Sequence, residues 1–390
     1  MYSGKFVFAQ LFEFFNRYEF DKCVDRYQGD HRIRDFSCWC QFLYMAFGQI
    51  THREGINDII TCLEAHSKAV YHMGLKQVVS VSTVTRANEH RNWRIYADYA
   101  SYLLGITRPL YQDDSDFALD LDNVVYAFDS TTIDLCLRTF YWAKFRKKKG
   151  AIKLHTLLDV RGSLPTFIYI TDGKVHDVNV LDELNFEENA FYVMDKAYVD
   201  FSRLYEITRA RSFFVVRAKE NLRFKCLKSS HVAKKKGLRC DQLIRLKTPK
   251  SAGDYPVRLR RVKYYDQEND VLLVFLTNNL EAKALTIAML YKQRWQIELF
   301  FKWIKQHLRI LVFWGHSPNA VKTQVWIAIC TYLMVAYIKK VLKTDHSMYE
   351  IMQILSVSTF SKEPINELLT NLSKNNENSE SYNQLTMFDL

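Results

Sequence analysis

The sequence predicts an α/β protein: a mixed sheet flanked by helices, preceded by a helical region and interrupted by a strand-rich insertion. Three observations carry that expectation. Through the first 110 residues apolar side chains recur at three and four, as in FVFAQLFEFFNRYEF and WCQFLYMAFGQI, which is the period of a helix. From residue 123 onward the pattern changes to short β-branched and aromatic runs bounded by turn residues. Those runs alternate with helical segments in the order β-β-β-α-β-α-β, the grammar of a mixed sheet.

The elements follow in chain order. SVSTVTRANEHR (80–91) offers Ser and Thr caps and then a polar helix bearing Arg86, Asn88, His90 and Arg91. It reads equally well as a DNA-reading helix or an ordinary solvated one. The acidic stretch YQDDSDFALDLDN (111–123) is a linker. NVVYAFDSTTIDL (123–135) is a strand, and AIKLHTLLDVRGSLPTFIYIT (151–171) gives two strands around an Arg161-Gly162 turn. DVNVLDELNF suggests a helix, FYVMD (191–195) a short buried strand, FSRLYEITRAR a helix and SFFVVRAK (212–219) a further strand. The domain boundaries expected from these shifts are 1–115, helical; 116–310, the sheet, interrupted by a basic insertion at 217–280; and 311–390, helical with a polar, frayed tail.

Bulk composition narrows the class. The 390 residues are 48% hydrophobic with only 12 Gly and 6 Pro, enough for a large core and too few breakers for a disordered chain. None of the eight cysteines forms a CxxC pair, and Cys38 and Cys40 lie too close together for a zinc knuckle, so reduced thiols of a cytosolic protein are expected. The N-terminus lacks the long apolar core of a signal peptide, and the longest apolar run, Val325 to Ile338, is shorter than a membrane span. No repeat, phosphate-binding loop or dinucleotide fingerprint is present. The formal charge is +11, but residues 217–263 alone hold sixteen Lys or Arg against three acids, so the rest of the chain sums to −2. Positive charge concentrated in one segment favours a phosphate-binding surface over a merely solvated one.

The chemistry centres on YKQRWQIELFFKWIKQHL (291–308). On a helix Tyr291, Arg294, Glu298 and Lys305 fall within roughly 60° of one another. Ile297, Phe300, Phe301, Ile304 and Leu308 cover one flank; Trp295, Leu299 and Trp303 cover the other. A narrow polar stripe between apolar flanks suits a helix packed on a sheet with one line open to a cleft. The plainer reading is an Arg294–Glu298 surface pair at i, i+4. Two aspartates, Asp129 in VVYAFDSTT and Asp195 in FYVMDKAY, sit on apolar strands where an unpartnered carboxylate is costly. Each could cap a turn. Together with Glu298 they could instead form a hard-oxygen site of the kind Mg2+ prefers, completed by water and substrate phosphate.

Tyr, two residues, Arg, three residues, Glu, six residues, Lys is complete here as Tyr291, Arg294, Glu298 and Lys305. With YAFDSTTIDL and VMDKAYVD upstream, residues 120–310 resemble the DDE transposases of the insertion-sequence-4 family. The helical region ahead of them is similar to that family's leading domain, with less specific motifs. The resemblance implies a ribonuclease-H-like core, with the long gap between Asp195 and Glu298 accommodating the strand-rich insertion. It implies that Asp129, Asp195 and Glu298 are catalytic and hold two Mg2+ ions, with Mn2+ able to substitute. Tyr291, Arg294 and Lys305 would contact DNA phosphates. It also implies cut-and-paste transposition of a bacterial insertion sequence, acting on double-stranded DNA at terminal inverted repeats and target. The protein would work as a homodimer on DNA, in the cytoplasm, associated with the nucleoid and not with a membrane. Relatives proceed through a DNA hairpin with an aromatic side chain holding a flipped base, for which Tyr264, Tyr265 and Phe275 are candidates.

Other basic positions are weaker. Lys144, Arg146, Lys147, Lys148 and Lys149 form a run whose default is a solvated loop and whose alternative is a DNA backbone contact. Lys234, Lys235 and Lys236 are the densest cluster of the basic segment. Lys196 either touches phosphate or offsets nearby acids. His176 reads more readily as a structural histidine than as a cleft residue. Besides an active transposase, a DDE-type endonuclease without strand transfer and a DNA-binding relative with a repurposed site remain readings of the same residues.

Overall fold

The computed structural model describes residues 4–112, 121, 123–146 and 149–370. The chain forms two compact units: Met1–Leu110 with Trp303–Leu390, and Tyr111–Lys302.

The first unit is helical. Its centre is the helix Pro318–Val341, which packs on helices Arg94–Thr107, Val81–His90, Cys38–Ile50 and Met348–Ser358. Ser317 caps it, accepting from the Ala320 N–H, and Pro318 stands where its missing N–H costs nothing. By length and composition this helix alone among the described residues could cross a membrane, yet 83% of its most apolar stretch is buried inside the fold. All thirteen residues of Cys38–Ile50 are buried, and its Trp39 and Phe42 form an aromatic cluster with Phe20, Tyr96 and Tyr99.

Helix Val81–His90 forms as expected, capped by Ser80, but two of its proposed reading residues face inward. Asn88 is 1% exposed and its carbonyl accepts from Gln41 at 2.7 Å. Arg91 is 8% exposed and donates to the Ser37 carbonyl at 2.9 Å and to Gln41 at 3.0 Å. A buried polar group is tolerable only when bonded, and these bolt the helix to Cys38–Ile50. Arg86 and His90 stay exposed.

The second unit is built on a ten-stranded sheet. Its strands are β1 Val125–Leu135, β2 Lys144–Arg146, β3 Lys149–Asp159, β4 Leu164–Asp172, β5 Phe191–Met194, β6 Phe213–Arg217, β7 Phe224–Ser230, β8 Leu238–Leu246, β9 Leu259–Asp266 and β10 Val271–Thr277. β3 pairs antiparallel with both β1 and β4, while β1, β5 and β6 run parallel. The spatial order β4-β3-β1-β5-β6 is that of a ribonuclease-H-like core. The β3–β4 turn uses Gly162 at φ 75°, where an added Cβ would lie 2.2 Å from the Tyr111 ring. The basic insertion does not stand apart as its own sheet. β10 pairs with β6 and β9, β9 with β8 and β8 with β7, extending the core sheet edge to edge. The helix expected in DVNVLDELNF is a 3-10 helix, Asp177–Glu183.

Strand alternation decides what each face carries. Tyr126 and Phe128 of β1 pair with Tyr192 and Met194 of β5, and these with Phe214 and Val216 of β6, in one buried cluster under helix Phe201–Arg209. The intervening Ala127, Val193 and Val215 are smaller and turn to the opposite face. Helix Ala284–Lys292 packs against β5, β6, β9 and β10. The next residues on the Ala127 and Val193 side of their strands are Asp129 and Asp195.

Candidate active site

Asp129 sits in the middle of β1, not at its end. What ends beside it is β5, whose last register pair with β1 is Phe128 with Met194. Asp195 follows Met194 directly and remains extended, at φ −76° and ψ 170°, before a short 3-10 turn. The two aspartates therefore occupy one row of neighbouring parallel strands, which lie about 4.8 Å apart.

The third acid arrives on a helix that differs from the one expected. Tyr291 to Lys305 is not continuous. Helix Ala284–Lys292 stops, Gln293 and Arg294 form a tight turn, and a second helix runs Trp295–His307. The Arg294 N–H donates to the Tyr291 carbonyl at 3.0 Å, three residues back instead of four. No Gly or Pro marks the break; a single tightened turn makes it. Ile297, Phe300, Phe301, Ile304 and Leu308 are buried as expected, but Trp295 and Leu299 are 57% and 42% exposed. The polar line is thus the border between a buried flank and an open one.

Through this turn the motif reaches the acids. The Tyr291 hydroxyl donates to Asp195 at 3.2 Å. Arg294 donates from one terminal nitrogen to Asp129 at 3.2 Å and from the other to Glu298 at 2.6 Å. Asp129 and Glu298, 169 positions apart in the chain, are one guanidinium apart in space. The other Asp129 oxygen accepts from the Ser130 N–H at 2.8 Å and the Tyr198 hydroxyl at 3.4 Å. Burial raises the Asp129 carboxyl from its ordinary 3.8 to about 6; Ser130 and Arg294 pull it down, while the charges of Asp195 and Glu298 push it further up. Burial likewise lifts the Tyr291 hydroxyl to about 12, keeping it a donor.

Several participants carry little signal in the linear sequence. Ser130 donates its hydroxyl to Asp177 at 2.9 Å, and Lys153 donates to the same oxygen at 3.0 Å. His155, paired with Ser130 across β1 and β3, is fully buried and bonded to Thr171 at 2.9 Å; burial pushes its imidazole down to about 4. Thr156 stands opposite Asp129 in the same register, and its hydroxyl is buried without a hydrogen-bond partner. Period-two spacing of Lys153 and His155 in an otherwise apolar strand is the trace that sequence reading had available.

The remaining expected residues are placed as follows. Lys305 lies seven residues beyond Glu298 on the same helix, half-buried. Lys144, Lys149 and Lys196 are exposed; Lys147 and Lys148 fall outside the described residues. Lys234, Lys235 and Lys236 form an exposed 3-10 turn at the tip of the β7–β8 hairpin, closed by Gly237 at φ 82°. His176 is exposed, and it is Asp177 beside it that joins the network. Phe275 is fully buried, with Tyr291 against it at 4.7 Å, so no base can reach it.

Three carboxylates are a chemically suitable set for Mg2+ or Mn2+. Among the described residues, however, no three His, Cys, Asp or Glu side chains converge on a single ion position. Arg294 stands between two of the acids, Asp129 at 3.2 Å and Glu298 at 2.6 Å, and its Nε is buried without a partner. By donor chemistry alone the three acids suit such an ion, and Arg294 occupies the position between Asp129 and Glu298.

Residues 120–334 match the family of transposase DDE domains, and residues 3–76 match a domain of unknown function, DUF4372. A Sinorhizobium fredii protein named as transposase y4zB is 35% identical over 210 residues, covering 53% of this chain and 58% of that protein. A protein named as the transposase of insertion sequence element IS5377 from Geobacillus stearothermophilus is 29% identical over 54% of this chain and 55% of its own length. One named for element IS4SA of Synechocystis is 22% identical over 66% and 71%. The chain thus spans just over half the length of the first two relatives. A cryo-EM structure of a piggyBac transposase synaptic complex with hairpin DNA aligns at a TM-score of 0.47 and 10% identity, over 96% of this chain and 85% of that one, too distant to bear on the site. With more than half of its residues matched, the chain belongs to the DDE transposase family.

Proposed function

We propose that this chain is the transposase of a bacterial insertion sequence, cutting double-stranded DNA at the element's inverted repeats and joining the freed ends to target DNA by a cut-and-paste route. The observation that carries the reading is the Arg294 fork joining Asp129 to Glu298, with Tyr291 on Asp195 beside it. Asp129 and Glu298 share one guanidinium, and Asp195 meets the Tyr291 hydroxyl three residues before it, which is more than an i, i+4 surface pair requires.

Asp129, Asp195 and Glu298 are the residues that would hold two divalent ions, which when bound supply Lewis-acid activation for in-line displacement at phosphorus. The chain's own groups do the positioning. Ser130 and Tyr198 fix the rotamer of Asp129. Arg294 offers a planar fork suited to phosphate oxygens, and Lys305, further along the helix, a point charge. The β7–β8 hairpin at the edge of the sheet, with Lys225, Lys228, Lys234, Lys235, Lys236 and Arg245 exposed, offers closely spaced cations for phosphate contacts. The helical region 1–115 is read as a second DNA-binding region, with Ser82, Arg86 and His90 on the open face of Val81–His90. Two copies on DNA would bring the two ends together.

The test is a strand-transfer assay using labelled DNA carrying the repeats that flank the gene, a target plasmid and Mg2+. Joined product supports the reading. Cleavage without joining identifies a nuclease using the same acids, and neither product in the presence of tight binding identifies a repurposed DNA-binding protein.

A further inference from the structure

We propose that Arg294 and the divalent ions compete for the same carboxylates, so that the DNA-free protein is latched by its own guanidinium and the metal site opens only when a DNA phosphate draws that guanidinium away. The proposal rests on reading Asp129, Asp195 and Glu298 as metal ligands.

Four observations support it. One Asp129 oxygen is already committed to the Ser130 N–H at 2.8 Å and the Tyr198 hydroxyl at 3.4 Å, so the oxygen left for a cation is the one Arg294 holds at 3.2 Å. The same guanidinium takes Glu298 at 2.6 Å, and Tyr291 takes Asp195 at 3.2 Å, so the motif's own side chains engage all three acids. Arg294 stands in the turn between two helices, at the break in the motif and not within either helix. Its Nε is buried without a partner, so the latched position leaves one donor unmet. A phosphate offers a planar guanidinium a fork it can satisfy bidentately. The latch is thus held by charge and opposed by an unmet hydrogen bond, which suits a contact that must break.

The consequence is thermodynamic. If the arginine must leave for metal to enter, and phosphate favours its leaving, DNA and metal tighten one another's binding by the same factor. The protein then holds no fully assembled metal site away from DNA.

The test uses the full chain without DNA, titrated with Mn2+ and followed by the electron paramagnetic resonance of free Mn2+, for wild type, Arg294→Ala, Arg294→Gln, Arg294→Lys and Asp129→Ala. Circular dichroism selects the folded variants, and Arg294→Gln keeps much of the side-chain volume where Arg294→Ala does not. The proposal expects Arg294→Ala and Arg294→Gln to bind Mn2+ about tenfold more tightly than wild type, a factor equivalent to about 1.4 kcal/mol. Arg294→Lys should fall between them, since an ammonium cannot fork. DNA cleavage should fall in the same variants. Tighter metal with slower cleavage is a pairing that loss of a merely structural arginine would not give. If the neutral variants bind Mn2+ no more tightly than wild type while Asp129→Ala abolishes binding, the latch is wrong and the metal reading stands. If no variant takes up Mn2+ at the acids, both fall.

Discussion

The acid site and the β7–β8 hairpin hold charge in opposite ways. At the acid site each charged group is partly buried and has a named partner: Asp129 and Glu298 on Arg294, Asp195 on Tyr291. On the hairpin the cations are exposed and closely repeated, as in the Lys234, Lys235, Lys236 tip. Arg260 on the neighbouring strand β9 differs: its side chain is 10% exposed and bonded to Asp241 of β8 at 2.8 Å. Charge removed from water acts strongly and specifically, whereas exposed charge acts weakly and additively. The first arrangement suits chemistry at one phosphate and the second suits grip along many. Substitutions should separate the two.

The largest effect is expected at the acids. Asp129→Ala, Asp195→Ala and Glu298→Ala should each slow cleavage about a thousandfold or more, equivalent to about 4 kcal/mol of transition-state stabilisation. DNA affinity in a filter-binding assay should stay nearly unchanged. Normal cleavage by all three would remove the acid site from the comparison. Arg294→Lys should cost about ten- to a hundredfold in cleavage, because a point charge cannot replace a fork.

The hairpin should respond on a different axis. Replacing Lys234, Lys235 and Lys236 together with Ala should weaken DNA binding and flatten its salt dependence, lowering the slope of log K against log salt by about 0.9 for each phosphate no longer neutralised. Single-turnover cleavage at saturating DNA should stay close to wild type. An unchanged slope would make the hairpin a solvated edge, its lysines serving only to keep an exposed strand from pairing with another chain.

The smallest effect concerns stability. Asp129 titrates near 3.8 when unfolded and about 6 when folded. Between those values the folded state holds the extra proton, so stability falls as pH rises through the window, and the deficit is fully present above it. Asp129→Asn removes that deficit. The variant should be more stable than wild type near pH 7.5 by at most about 3 kcal/mol, and equal to it near pH 3.5, by denaturant unfolding. Equal stability at both pH values would show that Arg294 already meets the full cost of the buried charge.

What could be read from the sequence follows from range. Asp129, Asp195 and Glu298 stood out because their signal is local: a carboxylate inside an apolar run, or an acid four residues after an arginine. The strand at 123–135, the Arg161-Gly162 turn and the helix at 201–209 were equally visible in nearby residues. Tyr198, Thr156 and the Lys153–Asp177–Ser130 chain were not, because each acts through register pairing or across more than twenty positions. The same limit explains Asn88 and Arg91, whose burial depends on Gln41 more than forty residues earlier. The break at Gln293–Arg294 has no Gly or Pro to announce it, yet it is what lets Tyr291 and Arg294 reach different acids.

The most direct measurement is anomalous diffraction from crystals of the protein with end DNA and Mn2+. The account predicts manganese peaks contacted by Asp129, Asp195 and Glu298, with Arg294 moved onto a phosphate. Manganese bound away from any one of those three acids, in a complex that cuts DNA, would contradict it.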